Sequence, residues 1–334
     1  MKKPNMVGTS AALAAVLEHT SLLATIDRPI LIQGERGTGK ELIAERLHYL
    51  SARWGHPFIK INCAAFTETL LDSELFGHEA GAFTGARKAH IGRFERAQGG
   101  TLLLDELGTM SAQLQEKLLR VIEYGEFERV GGTHTRTCDV RVIGATHDHL
   151  PTLADQGRFR WDLLDRLSFD VIAVPPLRMR AEDIAELADY FAIRLSHELQ
   201  WADFPGFSQA AYQQLAEHRW PGNVRELRNV VERSVFHHND PDHLVDQLIM
   251  NPFATASTAT SAPAVVDKSE VATLSEQALP ADFNLAVDHY KKGLLVAALR
   301  QHRYQQTRTA DALGLSYDQL RHLIRKYQLS TSAD

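Results

Sequence analysis

Cysteine is almost missing from this chain: Cys63 and Cys138 are the only two among 334 residues. They form no CxxC and no metal-spaced cluster with the scattered histidines, which excludes a disulfide framework and argues against a zinc site. Long hydrophobic runs are missing too. No apolar stretch approaches the roughly 20 residues that cross a bilayer. The amino terminus, MKKPN followed by a mixed segment with Glu18 and His19, lacks the apolar core of a signal peptide. A cytoplasmic protein is expected. There is no internal repeat and no overall excess of positive charge: a net of −6 argues against a protein coated in nucleic acid along its whole length.

The charge is uneven, however. From Phe283 to Asp334 eight Lys and Arg stand against four Asp, a net of +4, so a basic tail follows an acidic body and suggests two jobs in one chain. With 44% hydrophobic residues the body can bury a substantial core. Short apolar strands alternate there with amphipathic helices: PILIQG (29–34), ELIAERLHYL (41–50), PFIKIN (57–62), TLLLDE (101–106), QEKLLRVIEY (115–124), VRVIGAT (140–146) and FDVIAVP (169–175). That alternation predicts an α/β domain over 1–175, a parallel sheet with helices on both faces. After Pro175-Pro176 the pattern turns helical to about Met250, a smaller helical domain over 176–253. Residues 254–282, rich in Ala, Ser, Thr and Pro, read as a flexible linker, and 283–334 form the basic tail.

The chemistry concentrates at strand ends. GERGTGKE (34–41) fits the P-loop spacing, in which backbone N–H groups of Gly34, Glu35, Arg36, Gly37, Thr38 and Gly39 wrap phosphate oxygens at a helix N-terminus and Lys40 reaches the β and γ phosphates. Glu41 stands where Ser or Thr usually serves magnesium, so the metal must rely on other ligands. TLLLDE supplies them: a buried strand ends in two acids at the crevice where doubly wound sheets bind ligands. Asp105 can organise Mg²⁺, and Glu106 can orient or deprotonate the attacking water. An ATPase using ATP and Mg²⁺ is therefore expected. FRWDLLDRL (159–167) holds Arg160 and Arg166, with Asp162 and Arg166 spaced to pair locally on a helix. In WPGNVREL (220–227), Asn223 reads as an N-cap with Glu226 three residues on, which puts Arg225 in the first helical turn, within reach of a γ-phosphate. GAFTGA (81–86) places Phe83 and Thr84 between two Gly-Ala pairs, a composition suited to neither a helix nor a strand interior.

Taken together, GERGTGKE, FGHEAGAFTGA, GGTLLLDE and WPGNVREL resemble the AAA+ activators of σ54-dependent transcription, the bacterial enhancer-binding proteins. The resemblance covers essentially the whole chain and implies an α/β AAA+ P-loop ATPase with a helical lid, working as a ring, usually a hexamer, with ATP between subunits. It implies that Gly81, Ala82, Phe83, Thr84, Gly85 and Ala86 form the loop that touches σ54 RNA polymerase. It implies further that Asn62 is a switch holding Glu106 away from water, that Arg160 and Arg166 enter the neighbour's site as arginine fingers, and that Arg225 is the lid sensor. Thr146 falls at the γ-phosphate sensor. The family's ATN is ATH here, so His147 stands where Asn is usual.

The tail, TRTADALGLSYDQLRHLIRKYQL (307–329), has an apolar helix, a turn at Gly314-Leu315-Ser316, and a second helix with Leu320, Leu323 and Ile324 facing inward. This helix-turn-helix layout resembles the Fis-type tail of the same family. Tyr317, Gln319, Arg321 and His322 fall where base edges of enhancer DNA are read, and Arg325 and Lys326 where phosphates are met. Only 33 residues precede Gly34, too few for a receiver domain, so control is expected from another molecule. In this the chain resembles the family members that activate phage shock operons, restrained by a separate inhibitor of the phage shock protein A type, with Trp54 as the inhibitor contact. Two other readings share some features: a AAA+ replication initiator or helicase loader, which gives GAFTGA no role, and an ATP-gated DNA-binding repressor that does not turn ATP over.

Overall fold

Five apolar runs lie side by side in one parallel sheet. The strands, in chain order, are β1 (Ile30–Gln33), β2 (Phe58–Asn62), β3 (Thr101–Asp105), β4 (Glu126–Glu128), β5 (Thr135–Thr137), β6 (Arg141–Thr146) and β7 (Val171–Ala173). The sheet order is β2-β3-β6-β1-β7, with β4 and β5 pairing separately as an antiparallel hairpin. Alternation along each strand sorts side chains into two layers. Leu31, Leu102 and Leu104 pack into one core, against Leu75, Leu118 and Leu163, while Ile30, Ile32 and Leu103 pack into the other, against Val16, Ile43 and Leu47. Helices accordingly cover both faces: α1 (Ala11–Ala24) and α2 (Lys40–Tyr49) on one, and α3 (Glu68–Phe76), α4 (Arg93–Arg96), α5 (Ala112–Tyr124), α6 (Leu150–Asp155) and α7 (Trp161–Leu167) on the other.

The lid comprises α8 (Glu182–Glu198), α9 (Gln209–Glu217) and α10 (Asn223–His238). Its own core centres on Trp220, fully buried, whose indole N–H donates to the Leu215 carbonyl at 2.8 Å. The expected strands and the helical turn after Pro176 are present. The apolar periodicity does not reveal α1, α3, the short α4 and α6, or the β4–β5 hairpin.

This computed structural model describes residues 6–252, 291–292, 295–299, 302, 305–315 and 317–327. They fall into two compact units, one within Met1–Thr260 and one within Ser261–Asp334. The linker expected at 254–282 lies outside the described residues. In the second unit, α11 (Gln306–Ala312) and α12 (Tyr317–Lys326) flank a turn at Gly314. Leu320, Ile324, Ala310, Leu295 and Leu299 share a small core, with Leu323 packed against it.

Candidate functional site

The crevice at the carboxyl ends of the strands is built on the turn between β1 and α2. Lys40 opens α2 and is largely buried; its Nζ donates to the carbonyls of Gly34 (2.9 Å) and Glu35 (3.2 Å). Burial pulls its pKa down, opposed by the nearby Glu106 and Asp105 carboxylates. The same burial pushes the Asp105 carboxyl up, against the Glu106 N–H that donates to its Oδ1 at 3.0 Å. A cavity of about 450 Å³ joins the P-loop, Asp105 and Glu106 to Leu187, Tyr190 and Phe191 of α8. Arg225 lines it as well. Glu41 also lines the cavity, with its carboxylate paired to Lys60 (2.6 Å), which bonds Glu45 as well.

Glu106 is the least ordinary residue here. Its backbone is left-handed (φ 54°), a conformation rare for a non-glycine residue. One carboxylate oxygen accepts from His147 Nδ1, and the other lies 3.8 Å from Arg36 Nε. Asn62 is not its partner: the Asn62 Oδ1 accepts from Ala64 N at 2.9 Å, capping the short turn after β2. The switch contact that the resemblance assigns to Asn62 is thus not made in this structure: the Asn62 side chain caps the turn after β2, and the Glu106 carboxylate meets His147 instead. Thr146 is buried, and its hydroxyl accepts from Asp148 N at 3.0 Å.

The lid is stitched onto the P-loop. Asn223 is no simple N-cap, because Gly222 holds that position and Glu226 reaches back to the Gly222 N–H at 2.7 Å. Asn223 instead is fully buried with φ 53°, accepting from Leu177 N (2.7 Å) and donating to Arg36 O (3.0 Å) and Glu35 Oε2 (3.1 Å). Val224 N adds a bond to Gly37 O at 3.0 Å, and any Cβ on Gly37 would run into the Gly222 carbonyl. Arg178 clasps Glu35 through both Nη atoms (2.8 and 2.6 Å). That clasp first, and Asn223 second, hold the Glu35 carboxyl down at about 2. Buried Arg180 donates to Thr38 O at 3.0 Å. Nothing in the spacing of WPGNVREL reveals this clamp, since Asn223 can work only once Leu177 and the P-loop surround it.

Arg160 and Arg166 do not line this cavity. Arg160 forms a two-pronged pair with Asp162 (3.0 and 2.7 Å), and Arg166 pairs with Glu123 of α5 at 2.9 Å. The Asp162–Arg166 pair expected along the helix is therefore replaced by these two.

GAFTGA caps a loop whose legs meet where His78 pairs antiparallel with His90. Gly81 N bonds Ala86 O at 2.7 Å, closing the tip, and both hinge glycines adopt positive φ (87° and 106°) that side chains disfavour. Thr84 is exposed and Phe83 is 42% exposed, its ring edge-on to His78 at 4.9 Å; Ala86 alone of the six is buried. Trp54, 42% exposed, leans edge-on against Tyr49 at 4.5 Å in the turn between α2 and β2. In the second unit Tyr317, Gln319, Arg321, His322, Arg325 and Lys326 are exposed on α12.

Comparison with known proteins places these features in context. The Sigma-54 interaction domain family matches residues 6–173, and the AAA+ ATPase lid domain family matches 178–263. The Psp operon transcriptional activator of Escherichia coli (strain K12) is 53% identical over 327 residues, covering 98% of this chain and 99% of that protein. The regulatory protein AtoC of the same organism is 41% identical over 326 residues, 97% of this chain and 68% of that one. Crystal structures of NtrX from Brucella abortus align with a TM-score of 0.69 over 97% of this chain. One, at 33% identity, is covered over 69% of its length; another, in complex with ATP, is 34% identical and covered over 70%.

Proposed function

The chain belongs to the σ54-dependent transcriptional activators and is an ATPase of the AAA+ class, and from that premise we propose that it assembles into a ring, usually a hexamer, bound to enhancer DNA and works on σ54 RNA polymerase through the GAFTGA tip. ATP lies on the P-loop with Lys40 at its phosphates. Asp105 offers a single carboxylate beside the phosphate cradle, and among the described residues no group of three His, Cys, Asp or Glu could hold a metal alone. That donor set fits Mg²⁺, which takes its remaining ligands from phosphate oxygens and water and, when bound, screens their charge. Glu106 polarises the attacking water. Arg160 and Arg166 reach the neighbour's nucleotide, which agrees with their exposure and with their absence from their own cavity. Arg225 and Thr146 report the γ-phosphate.

The tail is a Fis-type helix-turn-helix, supported by the exposed polar face of α12 over a buried Leu320 and Ile324. The operon is of the phage shock type and the inhibitor a separate protein of the phage shock protein A type, supported by the full-length similarity to the Psp operon activator. The exposed edge of Trp54 is the inhibitor contact. Among the described residues no helix is long and apolar enough to cross a membrane, in keeping with a cytoplasmic ring.

The exposed Phe83–Thr84 tip carries this reading, because an apolar ring beside a free hydroxyl offers a partner both contact area and a hydrogen bond. The test is transcription from a σ54 promoter with purified protein, with and without ATP, for the parent and Thr84→Ala. The variant should keep ATP turnover and lose activation. Normal activation by Thr84→Ala would remove that hydroxyl from the mechanism.

A further inference from the structure

Glu106 is restrained by a residue other than the one the family resemblance nominates. Its carboxylate is only 15% exposed, with one oxygen on His147 Nδ1 and the other facing Arg36. In the tautomer that places the hydrogen on Nδ1, the ring donates and the carboxylate oxygen accepts. The opposite ring nitrogen, Nε2, lies 3.6 Å from Asp148 Oδ1. Asp148 is fixed in turn: its N–H donates to the Thr146 hydroxyl, and its carbonyl accepts from Gln33 Nε2 at 3.2 Å. The imidazole therefore stands at the end of β6 between two carboxylates, that of Glu106 and that of a residue whose backbone is fixed.

We propose that His147 is a positioning residue that latches Glu106, occupying the lone pair that would otherwise polarise the attacking water. In His the Nδ1 atom is as many bonds from the backbone as the amide nitrogen of Asn. The exchange of the family's usual Asn for His147 thus keeps an N–H donor in place, while the ring adds a second nitrogen facing Asp148. Asn62, next to Asp105 across the β2–β3 register, is turned into the cap over Ala64, and its amide makes no bond to Glu106 in this structure.

The latch rests on Glu106 being the group that activates water, so the two must fail separately. The experiment uses the full-length protein and measures kcat and KM for ATP, with binding of a fluorescent ATP analogue as the control for folding. A hydrogen bond to a charged group biases the two poses by about tenfold or more, so kcat of His147→Ala should rise about tenfold at an unchanged KM. His147→Asn, which returns an N–H to the Nδ1 position, should restore near-parental turnover. His147→Gln, whose amide nitrogen matches Nε2 instead, should behave like the Ala variant. A lower kcat with a raised KM in His147→Ala would make His147 a nucleotide contact and overturn the latch, as would an unchanged kcat. Should the Ala variant fail to bind nucleotide, equal turnover in the Asn and Gln variants would overturn it. Parental turnover in Glu106→Ala, run alongside, would instead defeat the role of Glu106 itself.

Discussion

Replacing Asn223 with alanine should undo the docking of the lid on the P-loop. The side chain is fully buried, and its loss strands the Leu177 N–H, which then lacks its only acceptor among the described contacts. A buried donor left unpaired costs about 1–3 kcal/mol. Asn tolerates the left-handed backbone at φ 53°, whereas Ala adds roughly 1–2 kcal/mol there. The sum, about 2–5 kcal/mol, corresponds to a fall in Tm of roughly 5–15 °C for a domain of this size. The nucleotide cavity also suffers, because Leu187, Tyr190, Phe191 and Arg225 all reach it from the lid. If only 1.4–2.8 kcal/mol of the docking energy is coupled to the ligand, the Kd for ATP rises about 10- to 100-fold. Thermal unfolding and titration with a fluorescent ATP analogue measure the two effects. Asn223→Gly separates their causes, since it removes the hydrogen bonds but accepts the backbone, and it should recover about 1 kcal/mol relative to Ala. Parental Tm and parental ATP affinity in Asn223→Ala would refute the clamp.

Asp105→Ala and Glu106→Ala should each abolish ATP turnover, while Glu106→Ala still binds nucleotide through Lys40 and the phosphate cradle; a phosphate-release assay and a binding titration distinguish the two. Removing residues 283–334 should leave ATP turnover intact wherever rings form but require far more protein for activation, because tethering to DNA raises local concentration toward the millimolar range; loss of turnover in the truncated protein would contradict it. Burial pushes the Cys63 thiol up to about 12 and Cys138 up to about 11, so at pH 8 only ~10⁻⁴ and ~10⁻³ of each is the reactive thiolate. A thiol-exchange reagent should label neither in the native protein and both after denaturation. The Glu35 carboxyl sits at about 2 rather than its ordinary 4.5, so its contribution is full above about 4.5 and is lost as pH falls toward 2. With both partners half exposed the effect stays below about 1 kcal/mol, and Glu35→Gln should flatten that acid limb in thermal unfolding.

The parallel strands were legible because most are short apolar runs, broken in β2 by Lys60, and TLLLDE announces both its burial and its chemical end. The hairpin was not, since Glu126-Phe127-Glu128 and Thr135-Arg136-Thr137 are short and polar and offer one inward ring, Phe127. Nor was α1, although AALAAVLEHTSLLA follows a Ser10 cap; its weak periodicity hides which face is buried. At the site, P-loop and acidic strand end could be placed from spacing, because their chemistry is local. Partnerships could not. The resemblance nominates Asn62 alone as the keeper of Glu106, and only the folded chain brings His147 to that carboxylate while Asn62 caps the turn after β2. Likewise Asp162 chose Arg160 because Glu123 of α5 was there for Arg166, a choice made across helices.

The GAFTGA loop has a bearing on transplantation. Its legs are sewn to the β4–β5 hairpin: Val130 N bonds Gly77 O at 2.9 Å, and Glu79 N bonds Val130 O at 3.0 Å. Arg129 at the same turn grips Glu79 and Glu95 together. A hexapeptide grafted onto another ATPase would therefore arrive without its footing, and a longer graft of the loop alone would leave Gly77 O and Glu79 N without Val130 at the root. The portable module is discontinuous: residues 77–96 and 125–138 have to move as a pair, so a chimera carrying one segment alone loses the bonds that hold up the tip.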